Sequence, residues 1–127
     1  MIPELHRMKA QRIETSMEKL SDADYEAVIE GSMLAGSHWL NFACHRMELT
    51  GHSADVMHAE FLTGAQRVAL LLRAPDLLNA MDQIEAYRAG FVRGDLPAGE
   101  QVAAHCRKLL EDIRRVALAA APLRAQS

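Results

Sequence analysis

The chain has 127 residues, half of them apolar, which is enough for one compact core. Its formal net charge of -3, from 14 Lys and Arg against 17 Asp and Glu, excludes a globally basic surface of the kind that attracts nucleic acid or anionic membranes. No apolar run approaches the roughly 20 residues that span a bilayer, so no membrane partner is expected.

The first segment, Pro3 to Leu20, sets Leu5, Met8, Ile13, Met17 and Leu20 among many charges, which predicts an exposed helix or an arm that packs on a partner subunit. Its interruptions at Glu4, Arg7, Lys9 and Glu14 do not read as a signal peptide. Ser21 followed by Asp24 is a capping-box variant, so the longest helix is expected to start there and run to about Thr50, before Gly51. Val28, Ile29, Ser32, Gly36, Trp39, Leu40, Ala43 and Met47 share its broad apolar face, and Ala35 and Gly36 leave room for a close neighbour. Ser53 is expected to cap a third helix to about Arg73, with Met57, Phe61, Ala65, Val68 and Leu72 as its core stripe.

Pro75 breaks the chain, and Asp76 onward predicts a fourth helix ending at Gly90 and Gly94. After the loop 94–99, the last helix begins near Pro97 and turns Val102, Cys106, Leu109, Ile113 and Val116 inward. Helix-forming residues dominate and nothing alternates with period two. The fold class is therefore all-α, an antiparallel up-and-down bundle of four to five helices with short connections. Residues 1–20 are assigned to the N-terminal helix or arm, 21–120 to the bundle and 121–127 to a flexible tail. Cys44 and Cys106 are far apart, each on an apolar helical face, which suits reduced, buried thiols and a cytoplasmic location.

Histidines are concentrated between Ser32 and Glu60, where four of the six lie. His38, Asn41, His45, Glu48 and, if the helix persists, His52 fall within an arc of about 80° at 100° per residue. An ordinary hydrophilic helix face accounts for such a stripe. Two chemistries compete with that reading. His45 and Glu48 at i, i+3, with His52 a further turn away, resemble the ligand spacing of carboxylate-bridged bundles, with His58, Glu60 and His105 as the ligands available elsewhere. Arg46 and His52 form a pair able to neutralise a phosphodiester and move a proton. By helical angle Arg46 projects toward the apolar side near Trp39, where it needs a carboxylate partner or a cleft. Arg88 and Arg93, late in the fourth helix, are placed to join the same cleft or to interact with the helix dipole.

The stretch Ser37-His38-Trp39-Leu40-Asn41 through His45, the start Asp55-Val56-Met57-His58, and Arg88-Ala89-Gly90-Phe91-Val92-Arg93-Gly94 before a final amphipathic helix resemble the HEPN superfamily over roughly residues 21 to 118. The resemblance implies an up-and-down bundle, a homodimer, and nucleotide or RNA as ligand. Catalytic members carry an arginine and a histidine separated by a few residues near the start of the final long helix. In this chain that spacing occurs at Arg46 and His52, earlier in the chain, with Met47 after the arginine. The positions after Arg88 and Arg93 where a histidine would fall hold Arg93, Gly94 and Asp95, and Ala98, Gly99 and Glu100.

The leading expectation is thus a HEPN-like nucleotide- or RNA-binding or interaction module, with His38, Asn41, His45, His58, Arg88 and Arg93 as ligand-binding residues and no metal. The alternatives are a metal-independent ribonuclease using Arg46 and His52, and a metal-binding bundle using His45, Glu48 and His52. The sequence names no cofactor.

Overall fold

Helix α2, Tyr25–Arg46, is the axis of the molecule, seen here in a computed structural model that describes residues 1–120. Around it lie α1 (Pro3–Met17), α4 (Pro75–Tyr87) and α5 (Gly99–Ala119), while the short α3 (Gly64–Arg73) stacks on α4. A single 3-10 turn at Ala59–Phe61 and a π-helical turn at Arg88–Val92 complete the helical structure, and there is no strand among the described residues. The chain runs up and down. His6 meets His38 while Met17 meets Gly31, so α1 and α2 are antiparallel; Gly36 meets Met81 while Glu30 meets Arg88, so α2 and α4 are too. None of the described helices is long and apolar enough to cross a membrane.

The broad face predicted for α2 is fully occupied. Val28, Ile29, Trp39, Leu40 and Ala43 are completely buried, together with Met81 and Ile84 of α4 and Cys106 and Ile113 of α5. Both cysteines are free and buried, and burial pushes each thiol up to about 12. Gly36 is a point of close approach in mid-helix, because a Cβ there would lie 2.8 Å from Met81 Sδ.

Four expectations need refinement. First, of the exposed helix or partner-bound arm expected over Pro3 to Leu20, the helix forms, and it packs along α2 through Ala10, Met17 and the partly buried Ile13. Its stripe looked sparse because alanine and histidine fill the contact positions. Second, α2 starts at Tyr25, with Ser21 and Asp24 forming the turn before it, where Asp24 Oδ2 accepts from the Ser21 backbone N–H at 3.0 Å.

Third, α2 stops at Arg46, not Thr50. Glu48 adopts φ 60°, the left-handed conformation that terminates helices, and the Leu49 N–H returns to the Cys44 carbonyl at 2.9 Å. Fourth, residues 47–58 are a loop, and α3 begins only at Gly64. Its start is a capping box in which Gln66 N–H donates to Thr63 Oγ1 and Thr63 N–H to Gln66 Oε1. With no helix over 53–58, the stripe drawn through that segment has the wrong phase: Met57, Phe61, Val68 and Leu72 are exposed, while Leu62 and Leu70 are buried.

Candidate functional site

The early end of α2 decides the chemistry. A helix continued to Thr50 would carry Asp55 away from His45; the turn at Glu48 folds loop 47–58 back along α2. Asn41 fastens that loop, its Oδ1 accepting from Val56 N–H at 2.7 Å and its Nδ2 donating to the Val56 carbonyl at 2.7 Å and to the Ser37 carbonyl at 2.8 Å. Ser37 Oγ donates to the Met57 carbonyl at 2.9 Å. These bonds hold the backbone next to Asp55 in one place.

Asp55 is then met by two buried imidazoles from different helices. His6 Nε2, on α1, lies 2.9 Å from Asp55 Oδ1, and His45 Nε2, on α2, lies 2.8 Å from the same oxygen. The amino group of Met1 donates to that oxygen too, at 3.2 Å, and to the His52 carbonyl. The outer nitrogen of each imidazole is also held: His6 Nδ1 faces His38 Nδ1 at 2.9 Å, and His45 Nδ1 faces Thr50 Oγ1 at 2.7 Å. The His52 ring stacks edge-on against His45 with centroids 5.5 Å apart.

Electrostatics follow from this packing. Partial burial disfavours the charged form of Asp55, yet hydrogen bonds from His6, His45 and the Met1 amino group outweigh it and hold the carboxyl well below its ordinary range. Desolvation lowers the pKa of His6, more than Asp55 raises it, and desolvation also lowers that of His38, with His6 and Lys9 adding to the effect. The site thus holds an ionised carboxylate in contact with a neutral His6.

No family model matches this chain, nor does any curated protein or solved structure. The family resemblance therefore stands on the motifs quoted for it, and the site is read from its own geometry.

His6 and Asp55 open onto a cavity of about 550 Å³ whose wall also includes Ser37, His38, Asn41, His58 and Arg88, with Met33, Leu34, Val56 and Met57 as its apolar part. Four of the sequence-derived ligand residues, His38, Asn41, His58 and Arg88, share this wall. His45 sits behind it, reaching it through Asp55. Arg93 is exposed at the end of the π-helical turn and is not in the lining.

Arg88 is partnered by Glu30 (Nε to Oε1, 2.7 Å) and Glu85 (Nη1 to Oε2, 3.0 Å), which raise its pKa beyond the opposing effect of partial burial. Arg46 does not point to the apolar interior; it is exposed, with its guanidinium 5.5 Å from the centre of the Phe42 ring. Neither Arg46 nor His52 lines the cavity. Glu48, at the left-handed turn, is outside the ligand group. A larger cleft of about 790 Å³ between the start of α2 and the loop 95–98 is lined by Asp22, Tyr25, Asp95 and Glu100, but it gathers no imidazole.

His6 and Asp55 are the residues sequence reasoning missed. His6 was hidden by the sparse stripe of α1, and Asp55 by its assignment to a helix. Placing Asp55 in a loop was possible from the run Thr50-Gly51-His52-Ser53, which is rich in turn formers.

Proposed function

We propose that this protein is a metal-binding helical bundle that holds one divalent transition-metal ion on His6 Nε2, His45 Nε2 and an oxygen of Asp55. The observation that carries the reading is the convergence of these three atoms, all within 4.8 Å of one another, from three separate segments of the chain. The nitrogen-to-oxygen separations of 2.8 and 2.9 Å match the edge of an octahedron with bonds of about 2.1 Å, which is about 3.0 Å. Two imidazoles and one carboxylate suit zinc, iron(II) or manganese and leave coordination positions for water or an added ligand.

Outer-shell support is already in place. Metal-bound histidines normally donate their second N–H to a fixed acceptor, which orients the ring. His38 Nδ1 and Thr50 Oγ1 occupy those positions for His6 and His45. Protein stripped with chelator, exposed to zinc and freed of excess should carry about one ion per chain by elemental analysis. A content no higher than that of a His6→Ala, His45→Ala double variant would end this reading.

The HEPN-like nucleotide or RNA module is supported by the gathering of His38, Asn41, His58 and Arg88 on one wall. Charge favours the ion instead. Arg88 is engaged by two glutamates, and Asp55 adds a further carboxylate, so little positive charge is left for a phosphate. Ribonuclease chemistry by Arg46 and His52 has no comparable support, since neither residue lies on the cavity.

The homodimer implied by the family resemblance belongs to the same proposal; sedimentation equilibrium should return twice the chain mass, and the single mass at all concentrations would exclude it. Cytoplasmic location is proposed on the two free, buried thiols, and cell fractionation checks it.

A further inference from the structure

We infer that His38 is a ligand-contacting residue of the cavity, and that occupation of the His6–His45–Asp55 position decides whether it accepts or donates a hydrogen bond there. The inference rests on the metal-binding reading above. It begins with the polar groups on the cavity wall. Ser37 Oγ is bonded to the Met57 carbonyl, Asn41 to Val56 and Ser37, Arg88 to Glu30 and Glu85, and Asp55 to His6, His45 and the Met1 amino group. Two imidazoles remain: His58, whose Nδ1 has no hydrogen-bond partner and lies 3.5 Å from Glu85 Oε2, and His38, which uses Nδ1 on His6 and keeps Nε2; only His38 is coupled to the His6–His45–Asp55 position.

The two Nδ1 atoms of His6 and His38 are 2.9 Å apart, so one carries the proton and the other accepts it. Asp55 is an ionised acceptor. Without an ion, the proton of neutral His6 lies on Nε2 and is donated to Asp55, leaving His6 Nδ1 bare. His38 must then hold its own proton on Nδ1, and its Nε2 is a bare acceptor. An ion on His6 Nε2 needs the lone pair of that nitrogen. The His6 proton then lies on Nδ1 and is donated to a bare His38 Nδ1, and the His38 proton lies on Nε2. Each ring has one proton in both states, so the pair exchanges tautomers with no net gain or loss. The cavity thereby changes preference, from a ligand offering a hydroxyl or N–H to one offering a carbonyl or carboxylate oxygen.

The test is a long-range proton–nitrogen correlation spectrum of the full chain labelled with nitrogen-15, at about pH 8 where unperturbed histidine is neutral, with chelator and then with one equivalent of zinc. A His38→Ala spectrum assigns the His38 signals. The expected result is an exchange of the bare and protonated nitrogen signals of His38 on adding zinc: Nδ1 protonated before, Nε2 after. If zinc shifts His6 and His45 while His38 keeps one tautomer, the ion site stands and the switch is overturned. If zinc moves neither His6 nor His45, the metal-binding reading fails and the switch falls with it.

Discussion

The Nε2 of His6 lies 2.9 Å from Asp55 Oδ1, across 49 residues of sequence, and this contact ties α1 to the loop that follows α2. It also ties stability to pH. The folded-state pKa values of His6, His38 and Asp55 are all lowered, so for each the unfolded chain binds protons more readily. Their contribution is present above the unfolded pKa and is lost as pH falls through the folded one. The histidines therefore weaken the fold from about pH 6.5 downward and Asp55 from about pH 4 downward. The urea midpoint should fall between about pH 7.5 and about pH 5, and less so in a His6→Gln protein. An equal fall in both proteins would contradict the assignment.

A second tie joins three helices. Trp39, fully buried on α2, donates its indole N–H to Glu14 Oε2 at 2.9 Å, and Glu14 Oε1 accepts from Arg114 of α5 at 2.6 Å. Glu14→Ala would leave the indole N–H without an acceptor in the core, at a cost of about 1–3 kcal/mol. Glu14→Gln keeps an acceptor and should lose less. Chemical denaturation of the two variants measures the difference.

Gly36 sets how closely α2 approaches its neighbours. An alanine Cβ would stand 2.8 Å from Met81 Sδ and 3.5 Å from Ile113 Cδ1, both on fully buried side chains. Helix propensity favours alanine by about 1 kcal/mol, while overpacking a filled core costs about 1–3 kcal/mol. Overpacking should win, so Gly36→Ala is expected to lower stability by roughly 1 kcal/mol; a rise in melting temperature would show that the helices can separate freely.

Thr50 supports the proposed ion through His45. Thr50→Val preserves shape but removes the oxygen 2.7 Å from His45 Nδ1. Loss of such an outer-shell partner typically weakens metal affinity about 10–100-fold, and a competition assay with a chromogenic chelator reads the change. Unaltered affinity would mean that Thr50 only closes the helix end.

The all-α class and the packing face of α2 were legible because Trp39, Leu40, Ala43 and their neighbours recur with helical period. Pro75 marked the start of α4 as plainly. What sequence periodicity could not show was that Glu48 would take a left-handed conformation and end α2 a turn early. From that one residue follow the loop at 47–58, the exposure of Met57 and Phe61, and the meeting of Asp55 with His45. The Thr63-x-x-Gln66 spacing is itself a capping-box signal, and the start assigned at Ser53 passed over it. Helical angle put His38 and Asn41 on one stripe of α2, but it could not relate them to His58 and Arg88 on other segments or to His6, because a lone histidine on a charged helix carries no periodic signal.

Calorimetric titration of zinc into chelator-stripped protein, compared with the Asp55→Asn and His45→Ala variants, tests the central claim most directly. The account predicts saturation at one ion per chain, with affinity reduced more than about 100-fold when either ligand is removed, since loss of an outer-shell partner alone costs about 10–100-fold. Binding of equal strength in all three proteins, or no binding in the unaltered chain, would contradict it.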